Sequence, residues 1–194
     1  MSGEKPKYIL ASASPRRSEI LQTLGLEFDT VVADVNEDVV DGEPPAEYVV
    51  RVARDKVAAA AGTLSSGVVI GADTVVVIDG RPLGKPVDHD DARTMLKSLS
   101  GRWHAVMTGV AVRDVSQPDT LADYDKTLVR FKELTDEEID SYVASGEPMD
   151  KAGAYAIQGR GMLFVEEIAG NYQNVVGLPA TLLQRLARRL GCDI

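Results

Sequence analysis

The spacing of apolar positions changes period several times along the chain, and each change marks an element. Tyr8-Ile9-Leu10-Ala11 is a short apolar run that reads as a strand. After Ser14, a good N-cap, and Pro15, suited to the first helical position, Ile20, Leu21 and Leu24 recur at helical spacing up to Gly25. "FDTVVAD" reads as a second strand, and the polar turn "VNEDVVDGEPP" leads into a helix, "AEYVVRVARDKVAAAAG", closed at Gly62. "GVVIGADTVVVID" is an apolar strand with polar residues in its middle, ending in an Asp79-Gly80 turn. Asp88 caps a helix through Leu99. "WHAVMTGVAVRD" and "TLADYDKTLVRF" read as two longer strands joined by a Pro-containing turn. Thr135 and Glu138 have capping-box spacing for a helix ending near Gly146. A Gly-rich stretch to Gly161, a strand "MLFVEEI" and a last helix begun at Pro179, with Leu182, Leu183, Leu186 and Leu190 on one face, complete the reading. The alternation predicts an α/β fold with a mixed, twisted sheet flanked by helices.

Bulk properties narrow the class. The 194 residues make one domain, or one with a modest excursion, spanning 1–194 with a flexible tail over 1–6. A 44% hydrophobic and 26% charged composition is that of an ordinary soluble globular protein. The net charge of −9 argues against nucleic acid or an anionic membrane as partner, so any anion site must be a local basic pocket in an acidic body. A single cysteine, Cys192, fits a reducing compartment. No apolar run approaches a bilayer span, and "MSGEKPK" lacks a signal-peptide core, so the expected location is the cytoplasm.

Four features carry candidate chemistry. Arg16 and Arg17 fall in the first turn of a helix, where its dipole disfavours cations by about 0.3–1 kcal/mol. They are either solvated surface residues or, with free backbone N–H groups beside them, a phosphate site. Asp73 interrupts a strand that reads as buried on both faces. A carboxylate there is costly unless paired, so Asp73 is a metal ligand or general base at a strand end, or a structural residue paired with an arginine. Gly71 and Ala72 beside it leave room for backbone or ligand. Lys56 lies on the apolar stripe of Val49, Val52, Ala53, Val57 and Ala60, either snorkelling to solvent or reaching into a phosphate pocket. Glu37 offers Asp73 a second hard oxygen toward Mg²⁺, which usually takes only one or two carboxylates plus phosphate oxygens. Lys85 lies between Gly84 and Pro86 in a rigid loop. The Gly-rich stretch carries Gln158, whose amide is equipped to read a base edge; such a stretch permits close ligand approach but also resembles a mobile loop. No GxxxxGK[ST] loop, GxGxxG, GxSxG elbow or zinc-ligand spacing occurs.

Taken in order, "LASASPRR", "GADTVVV", "GKP", "SGEPMDKAGAYAIQG" and "NVVGLP" resemble the Maf family of nucleoside triphosphate pyrophosphatases, from about Ile9 to Leu190. The resemblance implies a fold related to the inosine triphosphate pyrophosphatases, a homodimer, and a divalent cation (Mg²⁺ first, Mn²⁺ or Co²⁺ as alternatives). The implied reaction takes a nucleoside triphosphate to monophosphate and pyrophosphate. On matching positions it makes Asp73 the proton acceptor, and Arg16, Thr74 and Gln158 the substrate-discriminating residues. Ser12, Arg17, Glu37, Lys56 and Lys85 become the phosphate and metal pocket, with Lys56 and Lys85 serving catalysis and Glu37 and Asp73 the metal. "EPMDKAGAYAIQG" resembles the branch acting on dTTP and UTP rather than the one acting on 7-methyl-GTP. Two competitors remain at this level: a nucleotide-sensing regulator of cell division without turnover, and a purine-directed house-cleaning pyrophosphatase.

Overall fold

A computed structural model of the chain describes residues 6–32, 34–192 and 194. The expected tail, apart from Pro6, and Ala33 of the expected second strand lie outside the described residues. The strands are β1 (Tyr8–Leu10), β2 (Phe28–Thr30), β3 (Val68–Ile78), β4 (Arg81–Leu83), β5 (Trp103–Asp114), β6 (Leu121–Phe131) and β7 (Val165–Ala169). The helices are α1 (Pro15–Thr23), α2 (Pro45–Ala61), α3 (His89–Leu99), α4 (Asp136–Ala144), α5 (Tyr172–Val176) and α6 (Ala180–Arg189). The strand order is β2-β1-β3-β5-β6-β7, with β4 paired to β3. β1 pairs in parallel with β2 and β3, whereas β3–β4 and β6–β7 are antiparallel, which makes the sheet mixed.

The chain divides into two compact units. The first comprises residues up to Asp73, Thr108–Asp125 and from Gly177 onward; the second comprises Thr74–Met107 and Lys126–Val176. In the first, both faces of the central strands are covered. Tyr8, Leu10, Ile70, Val110 and Val112 pack against Leu21 of α1 and Leu182, Leu183 and Leu186 of α6. Ile9, Val69 and Ala111 pack against Ala53, Val57 and Ala60 of α2. Two-sided burial is why β3 reads as an unbroken apolar run. Helix α2 lies unusually close because glycines sit beneath it. A Cβ added at Gly109 would come within 2.2 Å of the Val49 carbonyl oxygen, and one at Gly71 within 2.8 Å of that of Ala53. The room beside Asp73 is therefore taken by helix backbone.

The second unit closes around Val76, Leu96, Leu99, Val129, Phe131, Tyr142, Tyr155 and Phe164. Asp88 caps α3 by accepting from the Asp91 N–H, and Thr135 with Glu138 forms the expected capping box on α4.

Several expectations shift. Ser14 stands at the N-cap of α1, but its side chain caps nothing. Leu24, assigned to the apolar face, is 42% exposed because the helix has already ended at Thr23. The second strand is limited to Phe28–Thr30. Met162 and Leu163, expected to open a strand, lie in a 3₁₀ turn, Gly159–Phe164, and are exposed. The short β4 and α5 were not anticipated. Asp73 does not stand at a strand end; it is in the middle of β3.

Candidate active site

Strand alternation puts Asp73 on the same face as Val69 and Gly71, the face covered by α2. One turn of α2 beyond Val52 and Ala53 comes Lys56, which the close packing brings to it. Lys56 Nζ donates to Asp73 Oδ1 at 2.8 Å, with both residues buried. The same ammonium meets Glu37 Oε1 at 2.8 Å, and the Glu37 side chain is 47% exposed. Lys56 thus does not snorkel, and Asp73's partner is a lysine rather than an arginine. The second oxygen of Asp73, Oδ2, makes no hydrogen bond among the described residues.

Glu37 belongs to a loop without regular structure, tied down by two residues that sequence reasoning missed. The Tyr48 hydroxyl donates to the Glu37 carbonyl oxygen at 2.9 Å. Burial, with the Asp73 and Glu37 charges adding to it, raises the Tyr48 phenol well above its ordinary value, so it stays a donor. Arg51 grips Glu43 with a two-pronged contact at 2.7 and 2.8 Å and donates to the Asp38 carbonyl at 3.0 Å. Those hydrogen bonds hold Glu43 below its usual range and Arg51 above its own. The signal was available: Tyr48 and Arg51 are three apart, hence neighbours on one helix face.

Ser12 and Arg17 form a third part of the same unit. Arg17 Nη1 donates to Ser12 Oγ at 2.9 Å, and its Nε to the Gly177 carbonyl at 2.9 Å. Ser12 Oγ also accepts from the Ser14 N–H at 3.2 Å. Burial lowers the Arg17 guanidinium from its ordinary value, the Asp73 charge opposes this, Arg16 adds to it and Glu37 opposes it. An arginine so displaced still carries its proton at neutral pH. Arg16 and Arg17 are both partly buried. With Lys56, Arg17 sets two cations against the Asp73 and Glu37 carboxylates.

Thr74, Lys85 and Gln158 belong to the second unit. Thr74 is half-buried, Lys85 exposed and Gln158 half-buried, and the Gln158 amide makes no hydrogen bond to the described residues. The loop before Lys85 is joined to the Gly-rich stretch where the Gly153 N–H donates to the Gly84 carbonyl at 2.9 Å. The structure thus gathers Ser12, Arg17, Glu37, Lys56 and Asp73 within one unit.

Among the described residues, no group of three or more His, Cys, Asp and Glu side chains could hold a metal ion. The pair Glu37 and Asp73 nevertheless fits a hard cation, since Mg²⁺ is held by one or two carboxylates and takes its other ligands from water and phosphate. No helix of the described residues is long and apolar enough to cross a membrane.

Known proteins similar to this chain agree with one another. A protein named dTTP/UTP pyrophosphatase from Geobacter sulfurreducens is 50% identical over 188 residues, covering 97% of this chain and 98% of that protein. One of the same name from Anaeromyxobacter dehalogenans is 53% identical over 188 residues, covering 96% and 95%. Among solved structures, that of the Staphylococcus aureus Ham1 protein aligns over 64% of this chain and 71% of that one. Its identity is 16% and its TM-score 0.47, below the level that shows a shared fold. The family model described as Maf-like protein matches residues 7–190, which takes in every element from β1 to α6. With the five sequence blocks in order and relatives half identical over nearly full length, this chain belongs to the Maf family.

Proposed function

We infer that this protein hydrolyses dTTP and UTP to the nucleoside monophosphate and pyrophosphate. What carries the reading is the 50% identity, over 97% of the chain, to an enzyme named for that substrate pair. The buried Asp73–Lys56 pair beside Glu37 supports the chemistry. Arg16, Arg17, Lys56 and Lys85 neutralise the triphosphate, and Ser12 keeps the Arg17 guanidinium in place through its 2.9 Å contact. Asp73 accepts a proton through Oδ2 from a water whose oxygen bonds to the α-phosphorus. The bond from that phosphorus to the oxygen bridging the β-phosphorus breaks, and pyrophosphate leaves with the electron pair. Glu37 and Asp73 would hold a divalent cation, Mg²⁺ first, which when bound polarises phosphate oxygens and offsets developing charge. Arg16, Thr74 and Gln158 select the nucleotide.

The family model spans both compact units, which supports reading residues 1–194 as one functional domain. Family membership supports a homodimer, and the single cysteine supports a cytoplasmic location.

Incubating the purified protein with a panel of pyrimidine and purine triphosphates and Mg²⁺, and identifying the products, tests the reading. Monophosphate and pyrophosphate, fastest from dTTP and UTP, are expected. Nucleoside diphosphate and orthophosphate, a purine preference, or binding without turnover would each overturn it. Asp73→Asn is expected to keep the fold, because its amide oxygen still accepts from Lys56, and to lower kcat at least ~10²-fold.

A further inference from the structure

The Gly-rich stretch is closed on itself by a carboxylate that neither the sequence reading nor the proposed chemistry uses. Glu147 Oε1 accepts from the Tyr142 hydroxyl at 3.0 Å and from the Gly161 N–H at 3.3 Å. Its Oε2 accepts from the Arg160 N–H at 3.1 Å. Tyr142 takes the Ala156 N–H at 3.3 Å on the same hydroxyl, so one carboxylate and one phenol gather three backbone donors from residues 156–161. The chain makes way for the carboxylate at Gly159, whose φ is +70°. A Cβ there would come within 2.8 Å of Glu147 Oε1. A second anchor lies further back: the buried Tyr155 hydroxyl shares a 2.8 Å hydrogen bond with His104 Nε2, and its ring stands edge-on to Phe131 at 4.7 Å. Between these two fixed points comes Gln158, whose own amide makes no hydrogen bond to the described residues.

We propose that Glu147 and Tyr142 are positioning residues for base selection, holding the segment 155–161 so that Gln158 is presented in one place. This rests on the functional reading above. A glutamine amide tells the uracil edge, with its O4 acceptor and N3–H donor, from the cytosine edge only if the amide is placed before the base arrives. A flexible loop would let it adapt to either. The carboxylate suits the clasp because all three of its partners are donors. Its bonds are charge-assisted and about twice as strong as neutral ones. Ala154, with φ of +58°, is a non-glycine residue held in the left-handed region within the same stretch. Such a conformation persists only where the surroundings over-determine it.

The test compares kcat/KM for UTP and CTP in the wild type, Glu147→Gln and Tyr142→Phe. Glu147→Gln turns an NH₂ toward a backbone N–H and loses one clasp bond, while Tyr142→Phe keeps the ring packed and loses the hydroxyl. Either variant alone decides, so a misfolded Glu147→Gln leaves Tyr142→Phe to settle the matter. The UTP-to-CTP ratio is expected to fall about tenfold, through a raised KM for UTP, with CTP affected less. A merely structural role would lower both nucleotides by the same factor and leave the ratio unchanged; that result overturns the proposal. A wild type without preference for UTP would overturn the functional reading, and this inference with it. A wild-type preference kept by either variant, once it is folded, would overturn this inference alone.

Discussion

Replacing Lys56 by methionine asks what the central cation of the site contributes to the fold. Met follows the lysine stem without the ammonium, so packing against α2's neighbours is largely kept. Both ion pairs at Lys56 Nζ are 2.8 Å long, yet they differ in surroundings. The Asp73 side chain is 9% exposed and that of Glu37 47%. At an effective dielectric of about 20, a 2.8 Å pair is worth about 6 kcal/mol before desolvation. Glu37, once released, is rehydrated, and its share is that of a surface pair, about 0–1 kcal/mol. Asp73 in the middle of β3, with only 9% of its side chain exposed, is not rehydrated in the same way, and stranding a buried charge typically costs about 3–5 kcal/mol. Arg17 still acts on Asp73, which places the loss near the low end, at about 3 kcal/mol.

Urea denaturation at pH 7, followed by far-UV circular dichroism, reads this directly. With a slope of about 2 kcal/mol per molar urea, the midpoint of Lys56→Met should fall by about 1.5 M. The decisive comparison is Lys56→Met with Asp73→Asn in the same chain. Removing the stranded charge should return about half of the lost stability, because a neutral amide left without partners costs about 1–3 kcal/mol. Glu37→Gln should change stability by less than about 1 kcal/mol. A double variant no more stable than Lys56→Met would refute the reasoning, as would Lys56→Met matching the wild type.

Three further outcomes are expected. Arg17→Lys loses the fork that joins Ser12 Oγ to the Gly177 carbonyl, and kcat/KM for dTTP should fall about 10- to 100-fold with the far-UV spectrum unchanged. Gly109→Ala puts a methyl 2.2 Å from a helix carbonyl that cannot rotate away, so thermal or urea unfolding should show a loss toward the upper end of about 1–3 kcal/mol. Burial pushes the His104 imidazole down to about 4 from its ordinary 6.5. Between those values the unfolded chain binds more protons, so this residue's contribution is present above pH 6.5 and is lost as pH falls toward 4. About 2 kcal/mol of stability should disappear from pH 7 to pH 5, and the urea midpoint of His104→Gln should show a correspondingly smaller drop.

The legible parts of the site were those marked by local conflict. Asp73 stood out because it breaks an apolar strand, and Lys56 because it breaks an apolar helical stripe; both conflicts survive in the structure as one buried pair. Their pairing was not legible. It depends on how closely α2 approaches β3 and β5, which Gly71 and Gly109 permit. Regular elements were readable from period, cap and turn, as with Asp88, Thr135 and the Asp79-Gly80 turn that ends β3. The elements missed or misread were too short for a period to show. Met162, Leu163 and Phe164 imitate a strand opening, while the local turn is 3₁₀. Glu147 gave no signal either, because two of its three partners are backbone N–H groups, which no sequence pattern displays.

The polar arrangements on regular elements and on loops differ in a way that follows from what each must do. The Asp73–Lys56 pair is carried by the middle of a strand and the interior of a helix, elements packed on one another down to backbone contact. Its geometry needs no further support. Glu37 and Gln158 sit on segments without such backing, and at each a second set of polar contacts supplies it. For Glu37 these are Tyr48 and Arg51, reaching the loop from α2. For the stretch around Gln158 they are Glu147 and Tyr142, with Tyr155 held by His104. Functional groups on loops are held as firmly as those on strands only when neighbouring side chains bind the loop backbone. In both cases main-chain atoms of the loop are among the bound groups, and the functional side chain remains half-exposed, which leaves it accessible to a ligand.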